Sequence, residues 1–255
     1  MADTLSLYTL LRERACRIAV RFPAVDFYRD EAGAVDVSRR IFTTDPLVVR
    51  LRQQVMDRLE DDFGHGMLHA TKVALDAGAL THLEGGAAGY TNDYLARRVC
   101  VAHFAGLLHD IQRKQRNHAE QGASFAVRLL AEYPLGADEI EDICIAIRNH
   151  EAFKATVSVN TREGALVSDC LYDADKFRWG PDNFTDTLWA MVAFRRPTLR
   201  DFVRHYPAGM ESLSRIRATF RTSTGRAYGP RFIDAGIAIG EELYRVIHDE
   251  FSAYL

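Results

Sequence analysis

The chain has 255 residues, of which 47% are hydrophobic and 26% are charged, so it is long and apolar enough to build a substantial core. Lys and Arg number 32 against 35 Asp and Glu, and the net charge of −3 argues against a general binder of nucleic acid or of an anionic membrane. The first residues lack the pattern of a secretory signal, and no window approaches about 18 unbroken apolar residues. We therefore expect a soluble cytoplasmic protein that does not span a membrane.

Apolar residues recur at the helical period along almost the whole chain, which predicts an all-α fold. Helix starts are marked by capping residues, most clearly by Asp45 before Pro46. In the first half of the chain, helices are expected over 5–22, from Asp45 to about Phe63, over 67–83, and from Thr91 or Asn92 to His109. The glycine-containing stretches 24–43 and 84–89 are expected to be irregular surface segments.

The second half continues the same pattern, with one weak strand-like alternation at 155–159. Helices are expected from Asn117 to near Pro134, from Asp138 to His150, and from Arg162 to Trp179, followed by three or four helices with breaks near Arg196-Pro197, Tyr206-Pro207 and 225–230. We predict a single-domain helical bundle. Its parts are an N-terminal helical extension (1–43), a metal-binding core (44–182) and C-terminal helices packed on that core (183–255).

The four cysteines are far apart in the sequence and each lies among helix-forming residues. They form neither a CxxC metal site nor a dense disulfide framework. The expectation is buried free thiols in a reducing compartment, at Cys16, Cys100, Cys144 and Cys170.

The residues that could carry chemistry are histidines and aspartates at helix ends. His109 and Asp110 follow an apolar run, where burying both side chains is costly unless they bind something, and a metal ion suits both. Imidazoles and carboxylates from separate helices could converge inside a bundle, and this mixture of nitrogen and oxygen ligands suits Fe, Mn, Zn or Co. The full candidate set is His69, His109, Asp110, His118, His150 and Asp175.

The order of these residues resembles the HD superfamily of metal-dependent phosphohydrolases. The motifs that carry the resemblance are His69-Ala-Thr-Lys-Val, Leu107-Leu-His-Asp-Ile, and Asp175 within Asp-Ala-Asp-Lys-Phe. His118 and His150 resemble the two extra histidines of the binuclear branch, H-HD-H-H-D, which includes enzymes that hydrolyse dinucleoside tetraphosphates. The likeness covers roughly residues 60–180. Lys72, Gln112 and Arg113 differ from the residues usual in that family.

The resemblance implies one or two divalent ions, of Fe, Mn, Co or Zn. One ion would bind His69, His109, Asp110 and Asp175, and a second would bind Asp110, His118 and His150. Arg113 and Lys114, directly after the metal motif, would neutralise phosphate charge. His65, one helical turn before His69, would assist proton transfer.

The expected function is hydrolysis of a phosphate ester or anhydride, with a nucleotide as the expected small-molecule substrate. Two alternatives stay open. The first is a di-iron oxygenase on the same ligands, and the second is a non-catalytic module that senses a nucleotide. The pattern leaves the oligomeric state open, a homodimer included. His103, seven residues before Asp110, is expected to be a core or supporting residue, and Asp173 is expected to point away from the ions.

Overall fold

The computed structural model describes residues 4–59 and 66–255, and every regular element within these ranges is helical. The predicted all-α fold is confirmed. The helices are α1 (Thr4–Ala19), α2 (Phe27–Asp30), α3 (Ala32–Thr44), α4 (Pro46–Met56), α5 (Met67–Ala87), α6 (Asn92–Leu108), α7 (His118–Leu130), α8 (Ala137–Asn149), α9 (Arg162–Phe177), a π-helical turn (Asn183–Thr187), α10 (Leu188–Arg195), α11 (Leu199–Ile216), α12 (Ser223–Glu250) and a 3₁₀ turn (Ser252–Tyr254). The weak alternation at 155–159 lies in the loop between α8 and α9. None of the helices within the described ranges is both long and apolar enough to cross a membrane.

Helix α4 begins as predicted and ends early. The Asp45 carboxylate accepts hydrogen bonds from the Leu47 and Val48 backbone N–H groups, at 2.9 and 3.1 Å, which satisfies donors that a helix start leaves unpaired. The helix ends at Met56 rather than near Phe63, so that part of the prediction is wrong. The Asp57 N–H contacts both the Gln53 and Val55 carbonyls, and this tightened turn closes the helix.

The stretch 24–43 is helical rather than irregular, which corrects the prediction for it. It contains α2 and most of α3, and α3 packs along α5. Phe27 and Phe42 are buried, and the Phe27 ring lies edge-on to Phe177 at 5.3 Å. The spacing of apolar residues could not predict this burial, because a partner of Phe27 is Phe177, 150 residues later in the chain.

The stretch 84–89 was also predicted wrongly, because α5 continues to Ala87. Gly85 lies inside the helix and permits a close contact: a Cβ there would be 2.6 Å from Leu95 Cδ1 at the start of α6. Gly89 follows the helix with φ at 81°, in the left-handed region that glycine adopts readily. The glycines here serve helix packing and helix termination.

Two of the three expected breaks near the C-terminus do not occur. The first break is confirmed, because α10 ends at Arg195 and Arg196 has a positive φ of 45°. Helix α11 runs through Pro207, and α12 runs for 28 residues through Pro230. Each proline removes one helical hydrogen bond. The continuity of α12 comes from packing, since a Cβ at Gly229 would be 2.4 Å from the Phe220 ring.

The buried apolar residues form two clusters. The larger one surrounds α6, whose residues from Val99 to Leu108 are all buried, as expected of a central helix. The smaller one joins α1 to the π-helical turn, α10, α11 and α12. The chain therefore packs its N-terminal helix against its C-terminal helices. The boundaries at residues 43 and 182 stay a prediction.

Three of the cysteines are buried as predicted, and Cys16 is half-buried. All four are free thiols. Burial raises the pKa of Cys100 to about 12, so this thiol stays protonated and inert at neutral pH.

His103 is a core residue, as expected, with a defined protonation state. Ser38 Oγ donates to the Leu75 carbonyl at 2.7 Å, so the hydroxyl accepts from His103 Nε2 at 2.9 Å. The other ring nitrogen, Nδ1, is buried with no hydrogen-bond partner among the described residues. A second proton would place an unpaired N–H in this apolar environment, and burial accordingly lowers the pKa of His103 to about 3.

This lowered pKa predicts loss of stability in acid. The folded state binds a proton at His103 only near pH 3, whereas the unfolded chain binds it below about pH 6.5, so protonation favours unfolding across that window. We expect His103 to reduce the free energy of unfolding by about 2 kcal/mol between pH 7 and pH 5. Urea unfolding at both pH values, for the wild type and His103→Gln, measures this. An equal pH dependence in the two proteins would contradict the assignment.

Candidate metal centre

Five helix ends converge on Asp110. His69 lies in the first turn of α5, His109 and Asp110 follow α6 directly, and His118 is the first residue of α7. His150 follows α8, and Asp175 lies in the last turn of α9. All six side chains are buried. The structure thus brings together every metal ligand that the sequence predicted.

One carboxylate oxygen of Asp110 belongs to a first histidine group, made of His69, His109, Asp110 Oδ2 and Asp175. The two imidazole Nε2 atoms are 3.3 Å apart, and Asp110 Oδ2 is 3.4 Å from His109 Nε2 and 3.9 Å from His69 Nε2. Asp175 Oδ1 is 3.3 Å from His69 Nε2 and 3.8 Å from His109 Nε2.

The other oxygen of Asp110 belongs to a second histidine group, with His118 and His150. Asp110 Oδ1 is 3.4 Å from His118 Nε2 and 3.5 Å from His150 Nε2. The two imidazole nitrogens are 3.2 Å apart. Asp110 therefore presents one oxygen to each group, which is the arrangement of a carboxylate that bridges two ions.

Hydrogen bonds to the backbone fix the tautomers of two ligands. His109 Nδ1 donates to the Gly106 carbonyl at 2.8 Å, and His150 Nδ1 donates to the Ile147 carbonyl at 2.6 Å. A carbonyl can only accept, so Nδ1 carries the proton in both rings and the neutral imidazole points the Nε2 lone pair into the cluster. Metal-binding histidines are commonly oriented in this way.

The charge states of His118 and Asp175 suit metal binding, whereas for His109 the effect of burial is outweighed by Asp110 and Asp175, which raise its pKa. Burial lowers the pKa of His118 to about 4, although Asp110 opposes the shift, so this imidazole is neutral at pH 7. Burial opposes ionisation of Asp175, yet Lys176 and the imidazoles hold the pKa of its carboxyl well below the usual range. Neutral imidazoles and ionised carboxylates are the forms that ligate metal ions.

The spacing of the donor atoms fits a metal ion. Ligands bound at about 2.1 Å and separated by 90–110° lie roughly 3.0–3.4 Å apart, close to the 3.2–3.5 Å within the second histidine group. In that group Arg113 Nη1 donates to His118 Nε2 at 2.8 Å, so a positive group already lies against one of the converging lone pairs. Two buried groups of three ligands, sharing Asp110, could each hold an ion.

Asn117 explains how α7 can return His118 to the site after only seven intervening residues. Its backbone has φ at 62°, a left-handed conformation that asparagine tolerates better than most residues. Asn117 occupies the predicted N-cap position of α7, but its side chain makes no capping hydrogen bond. Its conformation reverses the chain so that His118 faces Asp110.

Lys176, which was not among the predicted site residues, lies at the site. Its side chain is buried, and Nζ is 2.5 Å from Asp175 Oδ2, on the carboxylate oxygen that faces away from the histidines. The signal available in the sequence was its position directly after Asp175. Such a lysine supplies a positive charge beside the ligands without occupying them.

A network of buried and half-buried ion pairs holds α5 against the end of α9. Arg178 contacts the Asp76 carboxylate of α5 and donates to Asp182 at 2.5 Å. Lys72 Nζ is 2.9 Å from the other oxygen of Asp182. The network connects the helix that carries His69 to the helix that carries Asp175. Lys72 stands where arginine is usual in the HD superfamily, which the sequence resembles. Its side chain belongs to this network.

The other predicted site residues differ in where the structure places them relative to the candidate ligands. Arg113 lines a cavity next to the metal ligands, and Lys114 is exposed and does not line it. His65 lies outside the described residues. Asp173 points away from the histidines as expected, and it accepts hydrogen bonds from the Thr222 and Arg221 backbone N–H groups, both at 2.8 Å. Asp173 thus anchors the start of α12.

The cavity beside the ligands has a volume of about 730 Å³, within the range of small-molecule binding sites. At one end it is lined by His69, Asp110, His150 and Asp175, together with Arg113, Lys176 and Arg178. Its opposite wall comes from the π-helical turn, α10 and α11. The sequence assigned no function to these C-terminal elements, because their contribution depends on their packing over the metal centre.

Comparison of the chain with protein-family models, with curated proteins and with solved structures finds no match. The geometry of the site and the motif resemblance are therefore the grounds for assigning a function.

Proposed function

We propose that the protein is a metal-dependent hydrolase of a phosphate ester or anhydride, built on an HD-type metal centre. The observation that carries the proposal is Asp110, which presents one oxygen to each of two buried histidine groups beside a cavity that contains cationic side chains. The ligand set of four imidazoles and two carboxylates suits Fe, Mn, Co or Zn.

The cationic side chains supply what a phosphate group needs. Arg113, Lys176 and Arg178 line the same end of the cavity as the metal ligands. A phosphate monoester carries up to two negative charges, and fixed guanidinium and ammonium groups bind it and neutralise charge that develops on its oxygens. Arg113 is the most adaptable of the three, because its side chain is 37% exposed.

In the proposed reaction a water oxygen bonds to phosphorus while the bond from phosphorus to the leaving oxygen breaks. A divalent ion at this site would lower the pKa of a bound water and offset charge on the phosphoryl oxygens. Arg113 and Lys176 orient the phosphate group. The leaving oxygen takes a proton, so the products are inorganic phosphate and an alcohol, or a second phosphate for an anhydride.

The experiment is a metal and phosphate-release screen. The protein is purified without added metal, its metal content is measured, and phosphate release from phosphate monoesters, nucleotides and dinucleoside polyphosphates is followed with Mn²⁺, Co²⁺, Zn²⁺ or Fe²⁺. We expect release that depends on the ion. Two redox-active irons with oxygen uptake and no phosphate release would contradict the proposal and favour an oxygenase. Nucleotide binding without turnover or metal would favour a sensing module.

Arg113→Gln tests the role of the cationic end. We expect kcat/KM for phosphate release to fall roughly 10- to 100-fold, because a charged donor to the phosphate oxygens is lost. Metal content should stay unchanged, since the metal ligands are intact. Arg116→Gln is the matched control, an exposed arginine in the same segment that does not line the cavity. Equal activity in both variants would remove Arg113 from the mechanism.

A further inference from the structure

The far part of the cavity differs in character from the end at the metal centre. It extends from the histidine groups along the inner faces of α10 and α11. The residues that form this wall are mainly aliphatic, aromatic or thioether side chains. They include Phe184, Leu188, Met191, Val192, Met210 and Leu213.

Arg195, Asp201 and His205 also line the cavity, but two hydroxyl groups on the wall are engaged within the protein. The Tyr206 hydroxyl donates to the Gly240 carbonyl at 2.8 Å, and the Ser212 hydroxyl donates to the Ala208 carbonyl at 2.9 Å. Both residues line the cavity, yet their hydrogen-bonding groups are directed into the helices. A ligand with many polar edges, such as a nucleoside, would leave its donors and acceptors unpaired where it lies against the apolar residues and these two hydroxyls.

The π-helical turn lies between the two ends of the cavity in the sequence. Asn183–Thr187 directly precedes α10, and such turns occur often at functional sites. Phe184 from this turn lies on the apolar wall, while Lys176, eight residues earlier, lies at the cationic end. One short segment therefore separates a charged end from an apolar passage.

We propose that the substrate is a phosphate monoester of an apolar alcohol, with an aliphatic chain as the body. The phosphate group binds Arg113 and Lys176, next to the ions that Asp110 would hold, and the chain lies along α10 and α11. This inference rests on the proposed function, and it replaces the nucleotide expected from the sequence with a different class of substrate. Burying an aliphatic chain here removes apolar surface from water on both ligand and protein.

The experiment measures binding without turnover. Ethyl-, butyl-, hexyl- and octylphosphonate are titrated calorimetrically into the full chain supplied with Mn²⁺, because a phosphonate has no P–O–C ester bond to hydrolyse. Each methylene that enters the apolar wall should tighten binding by up to about fourfold, equivalent to about 0.8 kcal/mol. AMP is the nucleotide probe, and we expect it to bind more weakly than octylphosphonate.

A charge placed on the wall gives a second test. Met191→Glu should weaken octylphosphonate binding at least about tenfold more than it weakens ethylphosphonate binding, since the shorter probe does not reach the wall. Ala193→Glu is the matched control: it lies on the same helix, is exposed, and does not line the cavity. Retained ethylphosphonate binding shows that the variant has folded.

The outcomes separate this inference from the proposed function. Equal affinity for ethyl- and octylphosphonate, or tighter binding of AMP, overturns the apolar substrate even if AMP is hydrolysed. Affinity that rises with chain length, without phosphate release from octyl phosphate, supports the ligand class and contradicts the hydrolase. The chain-length series uses the wild type, so it decides the matter whether or not Met191→Glu folds.

Discussion

Replacing Asp110 with asparagine is expected to abolish metal binding at both histidine groups. Each group includes a different oxygen of this one carboxylate, at 3.4 Å from His109 Nε2 and 3.4 Å from His118 Nε2. Asparagine keeps the shape of the side chain but has no charge. It offers a neutral oxygen to one histidine group and an NH2 group, which cannot bind a metal ion, to the other. We expect the affinity for both ions to fall by more than about 100-fold, beyond the effect of losing a supporting residue.

His150→Ala is the matched control for Asp110→Asn. It removes a ligand from the second histidine group only, so one ion per chain should remain after dialysis. Elemental analysis of the wild type and both variants gives the stoichiometry directly, and ion-dependent phosphate release should disappear in Asp110→Asn. Loss of only one ion from Asp110→Asn would mean that the carboxylate does not bridge the two groups.

Gly106→Ala is expected to destabilise the fold and disturb the metal centre together. A Cβ at Gly106 would be 2.5 Å from Ala74 Cα and 2.8 Å from its backbone nitrogen, so the methyl group would push α5 away from α6. These two helices share the most extensive contact in the described structure and carry His69 and His109. Since backbone cannot yield as a side chain can, we expect a loss of about 3 kcal/mol in the free energy of unfolding.

A glycine with open surroundings gives the comparison. Gly86 lies near the end of α5, and nothing is within 4 Å of a Cβ built there. Gly86→Ala should leave stability unchanged or raise it by up to about 1 kcal/mol, because alanine favours the helix. Denaturant unfolding of both variants measures the difference, and metal content should fall only in Gly106→Ala. Similar stabilities would show that α5 and α6 can separate without cost.

Gly106 influences the positions of the candidate ligands in two ways. Its carbonyl accepts the proton of His109 Nδ1 at 2.8 Å, which fixes the ring that faces His69. The same residue allows α5 and α6 to approach closely enough for the two Nε2 atoms to lie 3.3 Å apart. The close approach of the helices and the spacing of the ligands therefore have a common cause.

The sequence alone determined the fold class and identified the candidate ligands. Helical periodicity and the Asp45 cap are local signals, because a helix forms its hydrogen bonds within a few residues. The six candidate ligands were recognised by residue type and order, and the structure brings them together around Asp110. The burial of His103 was also predictable from its position on the apolar helix α6.

Tertiary structure decided what depends on distant partners. Pro207 and Pro230 look like helix breaks in the sequence, yet packing of α11 and α12 offsets one missing hydrogen bond each. The role of Gly106 depends on Ala74, 32 residues earlier, and no local pattern signals that approach. The cavity could not be predicted from the sequence either, because its apolar wall comes from Met191 and its neighbours, which share no motif with Asp110. Side chains distant in sequence define a binding site only after the helices have packed.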